Sequence, residues 1–506
     1  NLRHISDEDY EHAQRVWDVF EMKTFRENLQ LYLETDVDHL TDVFERFWDV
    51  CMNNYGLDPA WYYTAPGLSW DAMLKITKLE LDPIVDPDTL MFFERQVRGG
   101  VSMITTQYAK ANSEYMKEYD ESKPDSFIQY LDANNLYGWA MSQPLPVENF
   151  RWMTVEQLEN WQDMPCVLEV DIEYPKEIHD SHNDYPFCPE KKNINGVEKL
   201  VPTLGVKERY VVHCLALKQA LRHGLKLKRI HRGVTFSESR KLAVYIGKNT
   251  KLRAEAKNEF EKDFFKLMNN SVFGKTMENI RKRVDVKLTS TEDRARALIA
   301  QPNYETLTIF NEHLTAVHMK QTSLYFNKPV YLGAAILDIS KTLMYSFHYD
   351  YVKPKYGEKA ELLFTDTDSL MYCIQTKDFY KDIAEDVRER FDTSNYPKDH
   401  PSGITTGANK KVVGMFKDEA GGRQITEFVG LRAKLYSYVF EEEENKRCKG
   451  VKAAVVKNCI TFEDYKTCLE TKANLYRSMT VFRSRKHEIY TEKVNKIALS
   501  ADDDKR

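Results

Sequence analysis

The segment Phe364-Thr-Asp-Thr-Asp-Ser369 places two carboxylates between two apolar stretches, and it constrains the fold more than any other feature. In an extended chain residues i and i+2 point the same way, so Asp366 and Asp368 are predicted to face one site from the tip of a hairpin. Neighbouring carboxylates raise each other's pKa unless a cation lies between them. The pattern therefore indicates a Mg²⁺ site, although Asp and Thr are also common turn residues.

Another acidic residue follows an apolar strand earlier in the chain. Residues Phe127 to Leu131 are typical of a strand, and Asp132 comes directly after it. A carboxylate at the end of a buried strand is poorly placed as a plain surface charge, so we expect Asp132 to meet the hairpin from an adjacent strand. Two metal ions held about 3.5–4 Å apart by such carboxylates would clamp an in-line phosphoryl transfer.

A charged helical segment lies between these two acidic segments. Lys262 and Lys266 are one helical turn apart on one face, and Asn270 and Phe273 continue roughly along it. A basic stripe suits a triphosphate, and an aromatic ring on the same face could stack on a base. The alternative for this segment alone is an amphipathic helix with solvated lysines and a buried Phe.

The distribution of charge supports a phosphate-binding surface. The chain has a net charge of −6, but Arg222 to Lys287 contains 18 Lys plus Arg against seven Asp plus Glu. That stretch therefore carries +11 and the remainder −17. Such asymmetry is typical of a local nucleic-acid or nucleotide surface on an otherwise acidic protein, with solvated helix faces as the alternative.

Taken in their order along the chain, the three segments resemble the motifs of family B DNA polymerases. The resemblance is strongest to the protein-primed branch of bacteriophages, linear plasmids and virus-like transposons of the Polinton or Maverick kind. The family motif Asp-x-x-Ser-Leu-Tyr-Pro is matched by Asp132 to Gly138, with Asn135 in place of Ser and Gly138 in place of Pro. The motif Tyr-x-Asp-Thr-Asp-Ser is matched with Phe364 in place of Tyr.

Three further motifs extend the resemblance over nearly the whole chain. The motif Lys-x-x-x-Asn-Ser-x-Tyr-Gly is matched from Lys266 to Gly274, with Phe273 in place of Tyr. A Lys-x-Tyr motif is matched by Lys434 and Tyr436. A Tyr-x-Gly-Gly motif is echoed by the segment Val97-Arg-Gly-Gly100, with Val in place of Tyr.

The resemblance implies roles at the catalytic centre. Asp132 and Asp368 would be metal ligands together with the backbone carbonyl of Ala133, and Asp366 would be an accessory carboxylate. Tyr137 would pack under the sugar of the incoming nucleotide and exclude a 2′ hydroxyl. The implied cofactor is a pair of Mg²⁺ ions, with Mn²⁺ as the alternative.

The resemblance also implies residues that contact nucleotide and DNA. Among the residues that would hold the incoming nucleotide are Lys262, Lys266, Asn270 and Phe273. The residues that would contact DNA are Arg98, Gly99, Gly100, Ser271, Gly274, Thr367, Lys434 and Tyr436. The expected partners are a DNA primer–template, deoxynucleoside triphosphates and, at initiation, a terminal protein primer.

The implied fold class is α+β, a right-hand polymerase. Its palm would combine an antiparallel sheet with helices, and it would carry helical fingers and a small thumb. In relatives an insertion in the palm contacts the terminal protein, and a later one is associated with processivity and strand displacement. The predicted domains are an exonuclease remnant with linker at 1–95, palm at 96–240 with an insertion at about 175–235, fingers at 241–283, palm at 284–425 with a second insertion at about 284–325, and thumb at 426–506.

A proofreading exonuclease usually precedes the polymerase in this family. Its third motif pairs Tyr and Asp one helical turn apart, which Tyr32 and Asp36 match, although a surface helix would also explain this pair. Only 31 residues precede Tyr32, and none forms an Asp-x-Glu strand. We therefore expect no complete 3′→5′ exonuclease site in this chain.

The remaining composition bears on location and on metal chemistry. The eight cysteines form no CxxC pair, which favours a reducing, intracellular compartment without distinguishing nucleus from cytoplasm. No apolar run approaches the roughly 20 residues that span a bilayer, so no membrane partner is expected. His179, His182 and Cys188 are candidate zinc ligands, with scattered loop residues as the alternative.

Two other functions compete with a DNA polymerase. One is an inactive, domesticated copy of a mobile element that only binds DNA or another partner, but such a protein has no need of Asp132, Asp366, Asp368 and Lys266. The other is a nucleotidyl transferase with a similar palm, such as a reverse transcriptase, whose acidic signature differs from Asp-Thr-Asp-Ser.

Overall fold

The computed structural model describes residues 6–441, 443–485 and 488–503, and these form two compact units that divide after Ile76. The first unit is helical, with α1 at Asp7–Val19, α2 at Phe25–Tyr55 and most of α3 at Ala65–Thr77. The longest of these three helices is α2. It begins at a capping box formed by Thr24 and Glu27 and ends at Gly56, whose φ of +60° favours glycine.

The second unit combines helices with five β-sheets. Its helices are α4 Pro87–Gln96, α5 Leu136–Met141, α6 Val155–Glu159, α7 His179–His182, α8 Cys214–Arg222, α9 Leu242–Glu255, α10 Glu259–Thr276, α11 Glu292–Ile299, α12 Val330–Ser346, α13 Lys353–Tyr356, α14 Phe379–Ile383, α15 Val387–Arg390, α16 Ala453–Cys459 and α17 Phe462–Thr471. Its strands are β1 Ser102–Ile104, β2 Tyr108–Lys110, β3 Ser126–Ala133, β4 Leu145–Trp152, β5 Cys166–Glu173, β6 Glu190–Ile194, β7 Val197–Val201, β8 Lys207–His213, β9 Lys226–Ser239, β10 Asp285–Thr289, β11 Tyr304–Asn311, β12 Leu314–Met319, β13 Ala360–Asp366, β14 Ser369–Gln375, β15 Phe391–Asp392, β16 Phe416–Asp418, β17 Ile425–Arg432, β18 Leu435–Phe440, β19 Glu443–Cys448, β20 Leu475–Arg485 and β21 Glu488–Leu499.

The main sheet is the frame of the second unit. Its central strands follow the order β1-β13-β14-β3-β17-β18-β19, and β2, β15 and β16 pair at its margins. Alternate residues of the central strands enter two different cores: Leu131 and Leu370 pack with the end of α12, whereas Ile128 and Met371 pack with residues of β17 and β18. Because both faces are covered, the central strands are apolar at consecutive positions.

The sequence predicted strand β3 and the β13–β14 hairpin of this sheet, whereas the charged segment predicted to be helical is interrupted. The charged run from Arg253 to Lys282 folds as the end of α9, helix α10 and a short turn at Ile280–Lys282. The break falls before Asn258, whose side chain accepts a hydrogen bond from the Glu261 amide and caps α10. The apolar segment at 330–352 forms α12, followed by a π-helical turn at Phe347–Val352.

Three features refine the predicted domain limits. Helix α4, assigned above to the first domain, packs in the second unit through Phe93 against Tyr331. The predicted insertion at about 284–325 contains a separate sheet of order β10-β12-β11. Strands β17 to β19 continue the main sheet, so that sheet extends beyond the predicted start of the thumb at 426.

The earlier predicted insertion, at about 175–235, is less separate. It contains the small β6–β7 hairpin, but its later strands β8 and β9 return to a sheet of order β4-β9-β5-β8. Within the described ranges, the search for a helix both long enough and apolar enough to cross a bilayer finds none.

Candidate active site

Three aspartates gather at one end of the main sheet because of the hairpin register. Strands β13 and β14 are joined by a very tight turn in which the Asp368 amide donates to the Asp366 carbonyl over 2.8 Å. Thr367 lies between them at φ +64°. Strand β14 also pairs with β3, where Ser369 is opposite Asp132. The prediction that Asp132 meets the hairpin from an adjacent strand is confirmed.

The carboxyl groups of Asp132 and Asp368 oppose each other's ionisation. Burial raises the pKa of Asp132 to about 8, helped by the negative charges of Asp368 and Glu419 and opposed by Lys417 and Lys266. Burial also raises the pKa of Asp368, assisted by Asp366. Two half-buried carboxyls that hold their protons this strongly would gain from a divalent cation between them.

Asp366 differs from the other two aspartates. Its carboxylate accepts a hydrogen bond from the Lys434 ammonium over 2.6 Å, which forms an ion pair at the edge of the site. Lys434 thereby neutralises one of the three charges. This arrangement agrees with the prediction that Asp366 is accessory.

The oxygen-rich site fits Mg²⁺ chemically, although it is not a complete protein cage. In the part of the chain that the structure describes, no group of three His, Cys, Asp or Glu side chains is arranged to hold a metal ion. Magnesium in nucleotide enzymes uses one or two carboxylates and completes its shell with water and phosphate oxygens. Asp132 and Asp368 supply such a pair of carboxylates, whose ionised forms a divalent cation would stabilise.

The zinc ligands considered for the early histidines do not converge. His182 shares a hydrogen bond of 2.8 Å with the Tyr174 hydroxyl, and His179 contacts the Tyr174 carbonyl. Cys188 lies buried in the apolar core. The two histidines are therefore held by Tyr174, and the zinc hypothesis has no supporting geometry.

Helices α9 and α10 form the predicted fingers surface beside the aspartates. They are joined by hydrogen bonds from Tyr245 Oη to the Met268 carbonyl (3.2 Å) and from Asn249 Nδ2 to Asn269 Oδ1 (2.9 Å). The exposed Lys266 lies near the aspartates, since its positive charge acts to lower the pKa of both Asp132 and Asp368. Lys262, one turn earlier, is half-buried and pairs with Glu259.

The rings of Tyr137 and Phe273 connect this surface with the first motif. Their centroids are 4.4 Å apart and their planes differ by 26°. Burial and the nearby charge of Asp368 raise the pKa of Tyr137 to about 12, so the Tyr137 hydroxyl lies close to the acidic centre. The two aromatic residues that the sequence predicted for sugar and base thus form one stacked wall.

Two substitutions in the first motif are structurally coupled. Asn135 has φ +45° and caps α5, because its Oδ1 accepts a hydrogen bond from the Gly138 amide over 3.2 Å. A Cβ at position 138 would fall 2.2 Å from Asn135 Nδ2. The proline of the family motif would lack the donor and collide with the cap, so Asn135 requires Gly138.

The residues predicted to contact DNA along α10 have different placements. Asn270 is half-buried, and Gly274 is exposed with no atom near the position of a Cβ. Ser271 is buried, and its hydroxyl has no hydrogen-bond partner among the described residues. Because Ser271 points into the protein, this placement argues against a direct DNA contact by its side chain.

The segment Arg98–Gly100 braces the hairpin. Arg98 is buried: its guanidinium donates to the Val211 carbonyl over 2.7 Å and lies over the Tyr210 ring. This burial argues against a template contact by the Arg98 side chain. Beyond it the chain approaches the turn, where the Thr367 amide donates to the Val101 carbonyl over 2.7 Å.

Gly100→Ala is expected to distort the hairpin, because a Cβ at Gly100 would lie 2.4 Å from the side chain of Thr367. We expect about a tenfold lower rate of nucleotide addition and a loss of about 1–3 kcal/mol in unfolding free energy. Single-nucleotide addition assays and thermal unfolding measure both. Gly99→Ala is the matched control, since no atom lies within 4 Å of its Cβ position. If the two variants had the same rate of nucleotide addition and the same unfolding free energy, the close contact of Gly100 with Thr367 would not support the hairpin.

Lys434 and Tyr436 line a cleft of about 760 Å³ together with the three aspartates. Tyr436 is buried, stacks on Phe364 with centroids 4.4 Å apart, and its hydroxyl lies 3.3 Å from that of Tyr130. The same cleft is lined by basic residues that the sequence reasoning did not single out. These are Lys446, Arg447, Lys449 and Lys457.

Sequence reasoning also missed the charges opposite Asp132. Strand β16 pairs with β3 so that Lys417 is opposite Asp132, and the exposed Glu419 follows two residues later. Both residues shift the pKa of Asp132, in opposite directions. A strand of three residues has too little periodicity to be recognised, so no signal in the sequence indicated this neighbour.

The exonuclease-like pair lies in the helical unit. Tyr32 and Asp36 occupy α2 and are exposed, with 65% of the Tyr32 surface accessible. Among the described residues no metal-binding group forms around them. The absence of a complete exonuclease site stays a prediction.

Comparison with known proteins agrees with this architecture. Residues 7–354 match the family model described as DNA polymerase type B, organellar and viral. The orthorhombic crystal form of Phi29 DNA polymerase matches with a TM-score of 0.55 and 15% identity, over 88% of this chain and 69% of that one. Its ternary complex with primer–template DNA and incoming nucleotide substrates matches with a TM-score of 0.54 and 14% identity, over the same shares. No curated protein sequence matches the chain.

The structural likeness confirms the predicted α+β right-hand polymerase fold, and the family match covers more than half of the chain. The motifs, the fold and the family model agree on one assignment. The chain belongs to the family B DNA polymerases of the organellar and viral type, in the protein-primed branch.

Proposed function

We propose that this protein is an active DNA-directed DNA polymerase that adds deoxynucleotides to a primer 3′ hydroxyl by two-metal phosphoryl transfer. The observation that carries the proposal is the meeting of Asp132 and Asp368 near Lys266, with raised pKa values in both carboxyls. A protein that only bound DNA would gain nothing from two half-buried carboxyls whose ionisation is unfavourable.

The side chains of the site divide the work of the transfer. Asp132 and Asp368 would hold the metal ions, which would lower the charge of the phosphates and of the attacking oxygen. The positive charge of Lys266 would offset the negative charge of the triphosphate during transfer. Tyr137 and Phe273 form the wall against which sugar and base would lie. Lys434 neutralises Asp366 beside the cleft that would receive the primer end.

The substrates and partners follow from the same surfaces. The basic residues of the cleft, Lys446, Arg447, Lys449 and Lys457, suit the phosphates of a primer–template duplex. The segment from about 175 to 235 is the proposed contact for a terminal protein primer. We further propose that the protein replicates a virus-like or transposon DNA. We place it in an intracellular, reducing compartment, because none of the eight cysteines forms a disulfide bond in the described residues.

Extension of a labelled primer on a DNA template tests the proposal. We expect Mg²⁺-dependent addition of deoxynucleotides, with lower efficiency on an RNA template of the same sequence. Gel electrophoresis of the labelled primer measures the extension. Retained DNA binding without any extension would instead identify an inactive copy that acts as a DNA-binding protein. Preferred extension on RNA would identify a reverse transcriptase. Mg²⁺-dependent shortening of the primer from its 3′ end would contradict the expected lack of a complete exonuclease site.

A further inference from the structure

The loop between β15 and β16 is fastened to the first catalytic motif. Asn134, two residues after Asp132, accepts a hydrogen bond from the Gly414 amide (2.8 Å) and donates its own amide to the Met415 carbonyl (2.9 Å). Its side chain donates to Asp392 Oδ2 over 2.6 Å, and the Lys411 amide donates to the same oxygen over 2.9 Å. Lys411 is therefore held beside the catalytic strand.

The backbone around Lys411 is also fixed in an uncommon conformation. Asn409 and Lys411 have φ values of +54° and +59°, in the left-handed region that non-glycine residues seldom adopt. The Asn409 side-chain amide donates to the carbonyls of Val387, Arg388 and Phe391, which determines the path of the loop. Such backbone strain persists only where its surroundings enforce it, and it is concentrated at functional sites.

Lys411 lies near other cations. Burial and the positive charges of Arg253, Lys262 and Lys410 lower the pKa of Lys411, whereas Glu259 acts in the opposite direction. Arg253 is on α9 and Lys262 is on α10, so three separate segments bring positive charge to one place. The carboxylates nearby are Glu259, which pairs with Lys262, and Asp263 beside Arg253.

One donor of this cluster has no partner. Arg253 Nε is buried and makes no hydrogen bond to any described residue. Positive charges brought together in this way, with a buried donor that has no partner among the described residues, cost electrostatic and hydrogen-bonding energy that an anion would offset. A phosphate group supplies both the negative charge and the acceptor oxygens.

We propose that Lys411 is a ligand of the triphosphate of the incoming nucleotide and grips it from the palm side, opposite Arg253 and Lys262 on the fingers helices. This assignment rests on the proposed polymerase function. A triphosphate is favoured over a DNA phosphate because the cluster shares α10 with Lys266, which lies near Asp132 and Asp368, and because Asn134 joins the Lys411 loop to the same motif.

Lys411→Ala tests the assignment, with Lys398→Ala as the matched control because Lys398 is an exposed lysine of the same loop. We expect Lys411→Ala to raise the KM for a deoxynucleotide about tenfold, as befits loss of one charged hydrogen bond, with unchanged affinity for primer–template DNA. Lys411→Arg is expected to restore most of the affinity. Lys411→Asn keeps a residue that tolerates the left-handed backbone, and so separates loss of charge from misfolding.

Calorimetric titration with inorganic tripolyphosphate, without DNA, provides a readout that does not need catalysis. We expect about tenfold weaker binding for Lys411→Ala and Lys411→Asn, and unchanged binding for Lys398→Ala and Lys411→Arg. The assignment would be overturned if Lys411→Ala and Lys411→Asn both kept tripolyphosphate binding and KM within twofold of the parent. It would also be overturned if these variants lost only their affinity for DNA. If the parent binds tripolyphosphate through Lys411 but extends no primer, the polymerase proposal fails and the phosphate site stands.

Discussion

Asp132→Asn and Asp368→Asn should each reduce nucleotide addition by about three orders of magnitude or more while leaving DNA binding intact. In the proposed mechanism both carboxylates would hold the metal ions, whose stabilisation of the transition state would amount to several kcal/mol, and each 1.36 kcal/mol corresponds to a factor of ten. Asp366→Asn should cost less, because its carboxylate is already paired with Lys434. Single-turnover extension with saturating nucleotide measures the rates.

Asp132→Asn should also stabilise the metal-free protein. The pKa of Asp132 in the folded chain is about 8, far above its usual value of 3.8, so the folded state holds this proton more tightly than the unfolded state. The stability that this carboxyl provides is complete below about pH 4 and is lost as the pH rises toward 8. Asp132→Asn removes the loss and should raise the unfolding free energy at pH 8 by about 1–3 kcal/mol, and by less at lower pH.

Thermal unfolding with chelator and with Mg²⁺ checks this linkage. In the parent, Mg²⁺ should raise the Tm more at pH 8 than at pH 6, because Mg²⁺ binds the ionised carboxylate and a larger fraction of Asp132 is ionised at the higher pH. In Asp132→Asn the Mg²⁺ effect should shrink, and the exposed Asp399→Asn should behave as the parent. An Asp132→Asn protein that is less stable than the parent at pH 8 without metal, or equally responsive to Mg²⁺, would refute the assignment of this carboxyl.

The catalytic aspartates could be predicted from sequence because the signals that place them are local. A tight acidic turn between apolar strands, and an acidic residue at the end of another strand, need only the alternation of side chains to bring Asp132, Asp366 and Asp368 together. The expectation that Tyr137 and Phe273 contact the nucleotide followed from motif resemblance, whereas the stacking of their rings is seen only in the structure. In each case neighbouring residues in the chain determine where the side chain points.

What could not be predicted depends on contacts between distant segments. Arg98 and Ser271 match family motifs, but their burial is set by neighbours such as Tyr210 that no local pattern identifies. Lys417 reaches Asp132 through a strand of three residues. Lys411 reaches the fingers cations because its loop bonds to Asn134 and Asp392. Long-range hydrogen bonds of this kind have no periodic trace in the sequence.

Tyr137→Ala should raise the incorporation of ribonucleotides relative to deoxynucleotides about 100-fold, the scale on which a site discriminates a single added hydroxyl. The Tyr137 ring is fixed by stacking on Phe273 at 4.4 Å and lies near Asp368, where the sugar of a metal-bound nucleotide would rest. A rigid ring there would leave no room for a 2′ hydroxyl, and alanine would open that space.

Matched variants separate the ring from its hydroxyl and from its support. Tyr137→Phe keeps the ring and should keep the discrimination, whereas Phe273→Ala removes the stacking partner and should have an intermediate effect because the Tyr137 ring can then move aside. The ratio of kcat/KM for a ribonucleotide and its deoxynucleotide, measured for single additions, distinguishes these cases. If Tyr137→Ala discriminated as the parent does, the wall that selects the sugar would have to lie elsewhere. If Tyr137→Phe lost discrimination as fully as Tyr137→Ala, the selecting group would be the Tyr137 hydroxyl, whose pKa Asp368 helps to raise.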